Sequence, residues 1–113
     1  MSAEITVYGI KNCDTVKKVC KYLSAHKVDY QFVDFRQNPL SVDIVKSWVE
    51  SIGWDVIVNK RSTTHRGLSA AQQSNITIEL LIEQPTLIKR PVLVSSSTII
   101  VGFNPEQYKQ FID

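Results

Sequence analysis

No apolar run in this sequence approaches the ~20 residues that a membrane-spanning helix requires, so no helical membrane span is expected. Cysteine is scarce. Cys13 and Cys20, with the widely separated His26 and His65, do not make the ligand spacing of a zinc site, and no metal is expected. The position three residues after Cys13 is Val16, so the C-x-x-C redox motif is missing. A tyrosine-phosphatase-type loop needs Arg six residues after its cysteine, and Val19 stands there. No G-x-G-x-x-G or Walker sequence follows a strand-like run, which leaves nucleotide cradles unsupported. Charge of one sign is also lacking: 13 Lys and Arg against 11 Asp and Glu leave a formal +2, too little to argue for nucleic acid. There is no repeat, low-complexity tract or linker. The 113 residues, 43% apolar and 21% charged, therefore read as one globular domain, 1–113. Met1-Ser2-Ala3-Glu4 has neither a basic n-region nor an apolar h-region, so no secretory leader is expected. The expected compartment is the reducing cytoplasm, where thiols are normally free.

What is present begins with alternation. Ile5-Thr6-Val7-Tyr8, closed by Gly9, reads as a first strand. From Val16, the apolar residues Val16, Val19, Cys20 and Leu23 fall at i, i+3, i+4 and i+7, one helix face, with Lys17, Lys18 and Lys21 opposite. Tyr30 to Phe35 alternates again, so the first third is a βαβ unit with parallel strands and a right-handed crossover. After Asn38-Pro39, Ser41 caps a helix carrying Ile44, Val45, Trp48, Val49 and Ile52, and Gly53 ends it. Asn59 to Gly67 reads as a polar, basic loop. Ser69 with Gln72 fits a capping box, and Thr77 to Glu83 is helical up to Pro85. Leu87-Ile88, Val92 to Val94 and Thr98 to Val101 are strand-like, the last two a hairpin turning at the serines 95 to 97. Glu106 to Ile112 reads as a terminal helix. This order, βαβ, helices, then ββα, is the connectivity of the thioredoxin fold. It predicts an α/β protein: a mixed four-stranded sheet flanked by helices, with a helical insertion in the middle of the chain and the first strand inside the sheet.

Cys13 falls on the turn from the first strand into the first helix. There, unpaired backbone N–H groups and the positive end of the macrodipole favour an anion. A free thiol is only about 3% thiolate at neutral pH, and helix N-termini and nearby cations raise that fraction. Lys11 favours the thiolate and Asp14 opposes it. Position alone leaves open whether Cys13 reacts or packs. Cys20 lies in the apolar stripe and reads as core. It is seven residues from Cys13, roughly 10 Å along a helix and beyond disulfide reach. His26 suits the negative helix terminus and His65 a surface loop. In isolation Arg90, before Pro91, reads as a surface residue at a strand start, and Lys60-Arg61 as part of a solvated loop.

The run Tyr8-Gly9-Ile10-Lys11-Asn12-Cys13-Asp14-Thr15-Val16-Lys17-Lys18 resembles the opening of the arsenate reductase-like (ArsC/Spx) family, in its YffB branch. Gly53-Trp54, Asn59-Lys60-Arg61, Leu87-Ile88-Lys89-Arg90-Pro91 and Gly102-Phe103 continue the match. The resemblance implies a catalytic Cys13, Arg90 and Arg61 near its sulfur to stabilise thiolate or anion, and a cis Pro91. It further implies glutathione-dependent thiol chemistry with no bound cofactor: glutathione is a co-substrate, and glutathione or glutaredoxin resolves the adduct. Asn12, Asp14, Thr15, Lys89 and Pro91 are then expected to contact glutathione, and the protein to act as a monomer. Two alternatives accompany this expectation. One is a non-catalytic Spx-like module docking a partner such as RNA polymerase, although the C-x-x-C common in those regulators is missing. The other is a glutaredoxin-coupled arsenate reductase, although Val101-Gly102-Phe103-Asn104-Pro105 lacks the third Arg that such enzymes carry after the last strand.

Overall fold

The alternation at the start of the chain forms β1 (Thr6–Gly9), whose residues are in turn half-buried and buried. The computed structural model describes residues 5–95 and 98–111. They fall into two compact units, Met1–Asn38 with Arg90–Asp113, and Pro39–Lys89.

The first unit holds the sheet. β1 pairs in parallel with β2 (Gln31–Asp34), from Thr6 opposite Gln31 to Gly9 opposite Asp34. It pairs antiparallel with β3 (Val92–Val94), which in turn pairs antiparallel with β4 (Ile99–Val101). The order β2-β1-β3-β4 is mixed and places β1 inside, a thioredoxin-like α/β sheet as predicted. Val7, Leu93 and Ile100 share one register row and therefore one face. Onto that face pack Val19 and Leu23 of α1 (Asp14–Ala25) and Tyr108 of α7 (Pro105–Tyr108). Each such apolar side chain contributes about 1.5–3 kcal/mol by leaving water. α1 starts two residues before the apolar Val16, because periodicity marks a helix's buried face and not its first turn. It ends where Lys27 takes the left-handed backbone, φ 59°, with Lys27 and Val28 N–H donating to the Ser24 and Leu23 carbonyls. A Cβ on Gly9 would lie 2.7 Å from Val16 Cγ2, so the end of β1 and the first turn of α1 meet at a distance only glycine permits.

The second unit is helical, as the expected insertion: α2 (Val42–Ile52), α3 (Trp54–Ile57), α4 (Thr63–Arg66), α5 (Ala70–Ser74) and α6 (Ile78–Glu83). The Ser41 cap and the Ser69–Gln72 capping box form as predicted, and Thr77, expected as the first helical residue, is instead the N-cap of α6. Gly53, with φ 85°, ends α2. Two expectations need correction. The polar stretch Asn59 to Gly67 is not all loop: Ser62 Oγ accepts the His65 N–H at 3.0 Å and starts α4, which contains His65. Leu87-Ile88 is not a strand. Pro85, with no N–H to give a ladder, opens a 3₁₀ turn through Leu87, and Ile88 makes a single bridge to Val58. The hairpin serines Ser96 and Ser97, and Ile112 of the terminal helix, lie outside the described residues.

Candidate active site

β1 ends at Gly9, the chain turns through Ile10, Lys11 and Asn12, and the Cys13 N–H donates back to the Ile10 carbonyl at 3.1 Å. Cys13 has extended backbone, φ −85° and ψ 125°, while its carbonyl already accepts the Lys17 N–H at 3.0 Å, which makes it the N-cap of α1. An N-cap is normally Ser, Thr, Asp or Asn, whose side-chain oxygen accepts a first-turn N–H. Cys13 is half-buried and provides no such bond, so the first-turn amides of α1 have no side-chain cap from it. A thiolate, or an anion bound to it, meets there the N–H groups and dipole that a helix offers at this end.

The register of the sheet gathers further residues at the same end. Tyr8 is opposite Val92, and Val92 opposite Val101, so the segments leaving β1, entering β3 and leaving β4 emerge together. Arg90 and Pro91 enter β3, joined by a cis peptide as expected. Pro91 is buried, and its carbonyl accepts the Gly102 N–H at 2.8 Å. Arg90 is half-buried, and its Nε and Nη1 are buried with no hydrogen-bond partner among the described residues. Buried guanidinium donors are costly unless they bond, so these two nitrogens are suited to an incoming anion. Lys11, Asn12 and Asp14 are exposed beside the thiol, and Thr15 is half-buried. Asp14 lies in the first turn of α1, where a carboxylate suits the dipole. Arg61, exposed, and Lys89, half-buried, belong to the second unit, and their part in the chemistry rests on the resemblance. A cleft of about 330 Å³ inside that unit, lined by Trp54, Val58, Lys60 and Ile76 among others, contains none of the predicted site residues.

Both cysteines are free thiols. Cys20 packs half-buried against the core cluster as predicted, with Tyr22, Val28 and Tyr30. Burial raises the Tyr30 phenol above its ordinary ionisation range, a hydrogen bond with Cys20 adds to that, and one with Ser24 opposes it. His26 is the C-cap of α1 and packs against Tyr22 with the rings tilted by 47° and their centroids 4.4 Å apart. The positions after β4 are occupied structurally. Phe103 packs edge-on to Tyr22 at 5.7 Å, and Asn104 Oδ1 accepts the Gln107 N–H at 3.2 Å to cap α7. The fully buried Tyr108 donates its hydroxyl hydrogen to the Gly102 carbonyl.

Sequence reading missed Asp34. Its Oδ2 accepts the Lys11 N–H at 3.3 Å and its Oδ1 the Arg36 N–H at 2.9 Å, tying the Cys13 turn to the end of β2. The one signal available was an aspartate inside an apolar alternating run, where strands disfavour it.

Comparison with known proteins bears on the family and the fold. The ArsC family model matches residues 8–111. An uncharacterized protein of Haemophilus influenzae is 42% identical over 109 residues, 93% of this chain and 96% of its own. The regulatory protein MgsR of Bacillus subtilis is 30% identical over 112 residues, 93% of this chain and 87% of its own. Among solved structures, the YffB protein superposes with a TM-score of 0.90 at 37% identity, covering 96% of this chain and 99% of its own.

Proposed function

Because this chain belongs to the ArsC family, we propose that it is a thiol-disulfide oxidoreductase that works with glutathione and has Cys13 as its nucleophile. The observation that carries the reading is a cysteine in the N-cap position of α1, its side chain making no cap bond, at the sheet end where Arg90 keeps two guanidinium nitrogens unpaired. The Cys13 thiolate attacks the glutathione sulfur of a mixed disulfide R–S–SG. The S–S bond between RS and SG breaks, RS⁻ leaves and takes a proton from water, and Cys13 carries the glutathione as a new disulfide. The thiolate of a second glutathione, or of glutaredoxin, then attacks that adduct, releases the Cys13 thiolate and departs as the oxidised partner. The second thiol comes from outside because Cys20 is roughly 10 Å along α1 and Val16 occupies the C-x-x-C position. Glutathione suits the site by charge: its carboxylates are anions for Arg90 and for the first-turn amides.

Treatment with oxidised glutathione should add one glutathione, on Cys13, as read by intact mass and peptide mapping. Reduced glutathione or glutaredoxin should remove it, and Cys13→Ser should abolish both the adduct and turnover of a small glutathione mixed disulfide. A dominant Cys13–Cys20 disulfide, or no adduct, refutes the proposal. The similarity to MgsR supports a second reading, a regulatory module that docks a protein partner. Retention of RNA polymerase by the immobilised protein, with no turnover of the mixed disulfide, would favour it.

A further inference from the structure

We propose that Asp34 is a positioning residue for Cys13, its carboxylate holding the β1–α1 turn in the geometry that presents the thiol. The proposal rests on the reading of Cys13 as the reacting group. β2 ends at Asp34, directly opposite Gly9, the last residue of β1. Both oxygens of its half-buried carboxylate are used: Oδ2 accepts the Lys11 N–H at 3.3 Å and Oδ1 the Arg36 N–H at 2.9 Å. Its carbonyl accepts the Asn38 N–H at 2.9 Å, and the neighbouring Phe35 N–H donates to the Gly9 carbonyl at 3.0 Å. The turn Ile10–Asn12 is thus held locally by the Cys13–Ile10 bond and fastened to the next strand by Asp34, 23 residues away from Lys11 in the chain. A turn attached only at its two ends samples many backbone states. One fastened in the middle keeps the N-cap geometry of Cys13 before any substrate arrives, and small misplacements of a reacting group are expensive in rate.

Geometry and charge make opposite predictions for Asp34. Its negative charge disfavours both a nearby thiolate and an anionic disulfide such as oxidised glutathione, so a purely electrostatic role has its removal speed the reaction. A positioning role has its removal slow the reaction. Asp34→Asn keeps one carbonyl oxygen on the side chain, enough for one of the two N–H groups, whereas Asp34→Ala leaves no acceptor at all.

The test uses Asp34→Ala and Asp34→Asn in a Cys20→Ser background, well below the melting temperature of each variant. Three quantities are read: the second-order rate of Cys13 with oxidised glutathione, the rate with uncharged iodoacetamide, and hydrogen exchange at the Lys11 amide. Asp34→Ala should slow both thiol reactions by roughly tenfold, the worth of one charge-assisted hydrogen bond, and Lys11 exchange should accelerate by a similar factor. Asp34→Asn should fall between. A merely structural role lowers the melting temperature and leaves the rates of the folded protein unchanged. Unchanged or faster rates overturn the proposal, and if Asp34→Ala does not fold, Asp34→Asn decides. Failure of the unaltered protein to take glutathione refutes the glutathione reading, while the iodoacetamide rates still decide the role of Asp34.

Discussion

Gly9→Ala tests how closely the strand that leads to Cys13 is packed on the helix that Cys13 begins. The added methyl would stand 2.7 Å from Val16 Cγ2, 3.2 Å from Val16 Cγ1 and 3.6 Å from Phe32 Cε1. Val16 is 2% exposed, so its two methyls cannot swing into solvent. Gly9 has no positive φ, so the backbone itself accepts alanine and the cost is steric. Overpacking of this kind costs about 1–3 kcal/mol. The same change stiffens the unfolded chain and recovers about 0.4–1 kcal/mol. The clash wins, leaving a net loss of about 1–2 kcal/mol and a fall in Tm of about 4–8 °C for a chain of this size. Val16→Ala alone should also destabilise, by leaving a cavity. In Gly9→Ala/Val16→Ala the new methyl occupies the space the old ones left, so the double variant should be more stable than the sum of the singles by about 0.5–3 kcal/mol. Thermal or urea unfolding of the four proteins closes the cycle. A Gly9→Ala protein at least as stable as the unaltered one, or strict additivity in the double variant, would refute the contact.

Cys20→Ser should retain reductase turnover and lose about 1 kcal/mol of stability, the lower end for a hydroxyl on an apolar face because Tyr30 can still bond it. Denaturant melts and turnover with a mixed disulfide check the two halves separately, and a folded but inactive variant would be inconsistent with a packing role. Arsenate reduction with glutaredoxin supplied should be very weak: the third Arg of the arsenate enzymes is replaced by Phe103 and Asn104, and one absent charge-assisted contact costs roughly 1.5–3 kcal/mol. Efficient arsenate turnover by the unaltered protein would overturn this. Burial holds the Tyr108 phenol above its ordinary value of 10.0, so the unfolded chain releases this proton before the folded one does. Its contribution to stability is therefore complete below pH 10.0 and declines as pH rises above it. Tyr108→Phe should lower stability at neutral pH through loss of the bond to Gly102, yet flatten the decline above pH 10.0, read as Tm against pH.

What was legible in the sequence was whatever repeats with a period or sits at a fixed offset. The βαβ unit and the closing hairpin followed from alternation and from the i, i+3, i+4, i+7 stripe of Val16, Val19, Cys20 and Leu23. The helix starts at Ser41 and Ser69 followed from side-chain oxygens that accept the N–H three residues on, whereas the same bond at Thr77 was not read. α4 was hidden because its Thr-Thr-His-Arg sequence has no apolar face, and what starts it is a single Ser62 cap. Leu87-Ile88 misled because two buried apolar residues look alike in a strand and in a 3₁₀ turn, and Pro85 was the deciding residue. Cys13 was legible as a position, on the turn between a strand and a helix. The Asp34 carboxylate was not, because a side chain bonding to backbone 23 residues away leaves no local pattern.

The register of β1 has a consequence for the order in which this molecule is put together. Its parallel partner β2 begins 25 residues after β1, from Thr6 to Gln31, but the Tyr8–Val92 pairing closes a span of 84 residues. A chain growing from its N-terminus therefore has Cys13 and α1 early, beside an open sheet edge, and acquires Arg90 only after the whole of Pro39–Lys89 has been made. Until β3 docks, the turn that carries Cys13 stands without the arginine that enters alongside β3. Closing that span depends only weakly on its length, each doubling adding about 0.6 kcal/mol. The length of the 39–89 segment thus adds little to the entropy of closing the sheet, while a single residue added between Gly9 and Cys13 should break the Asp34 tether and the cap together.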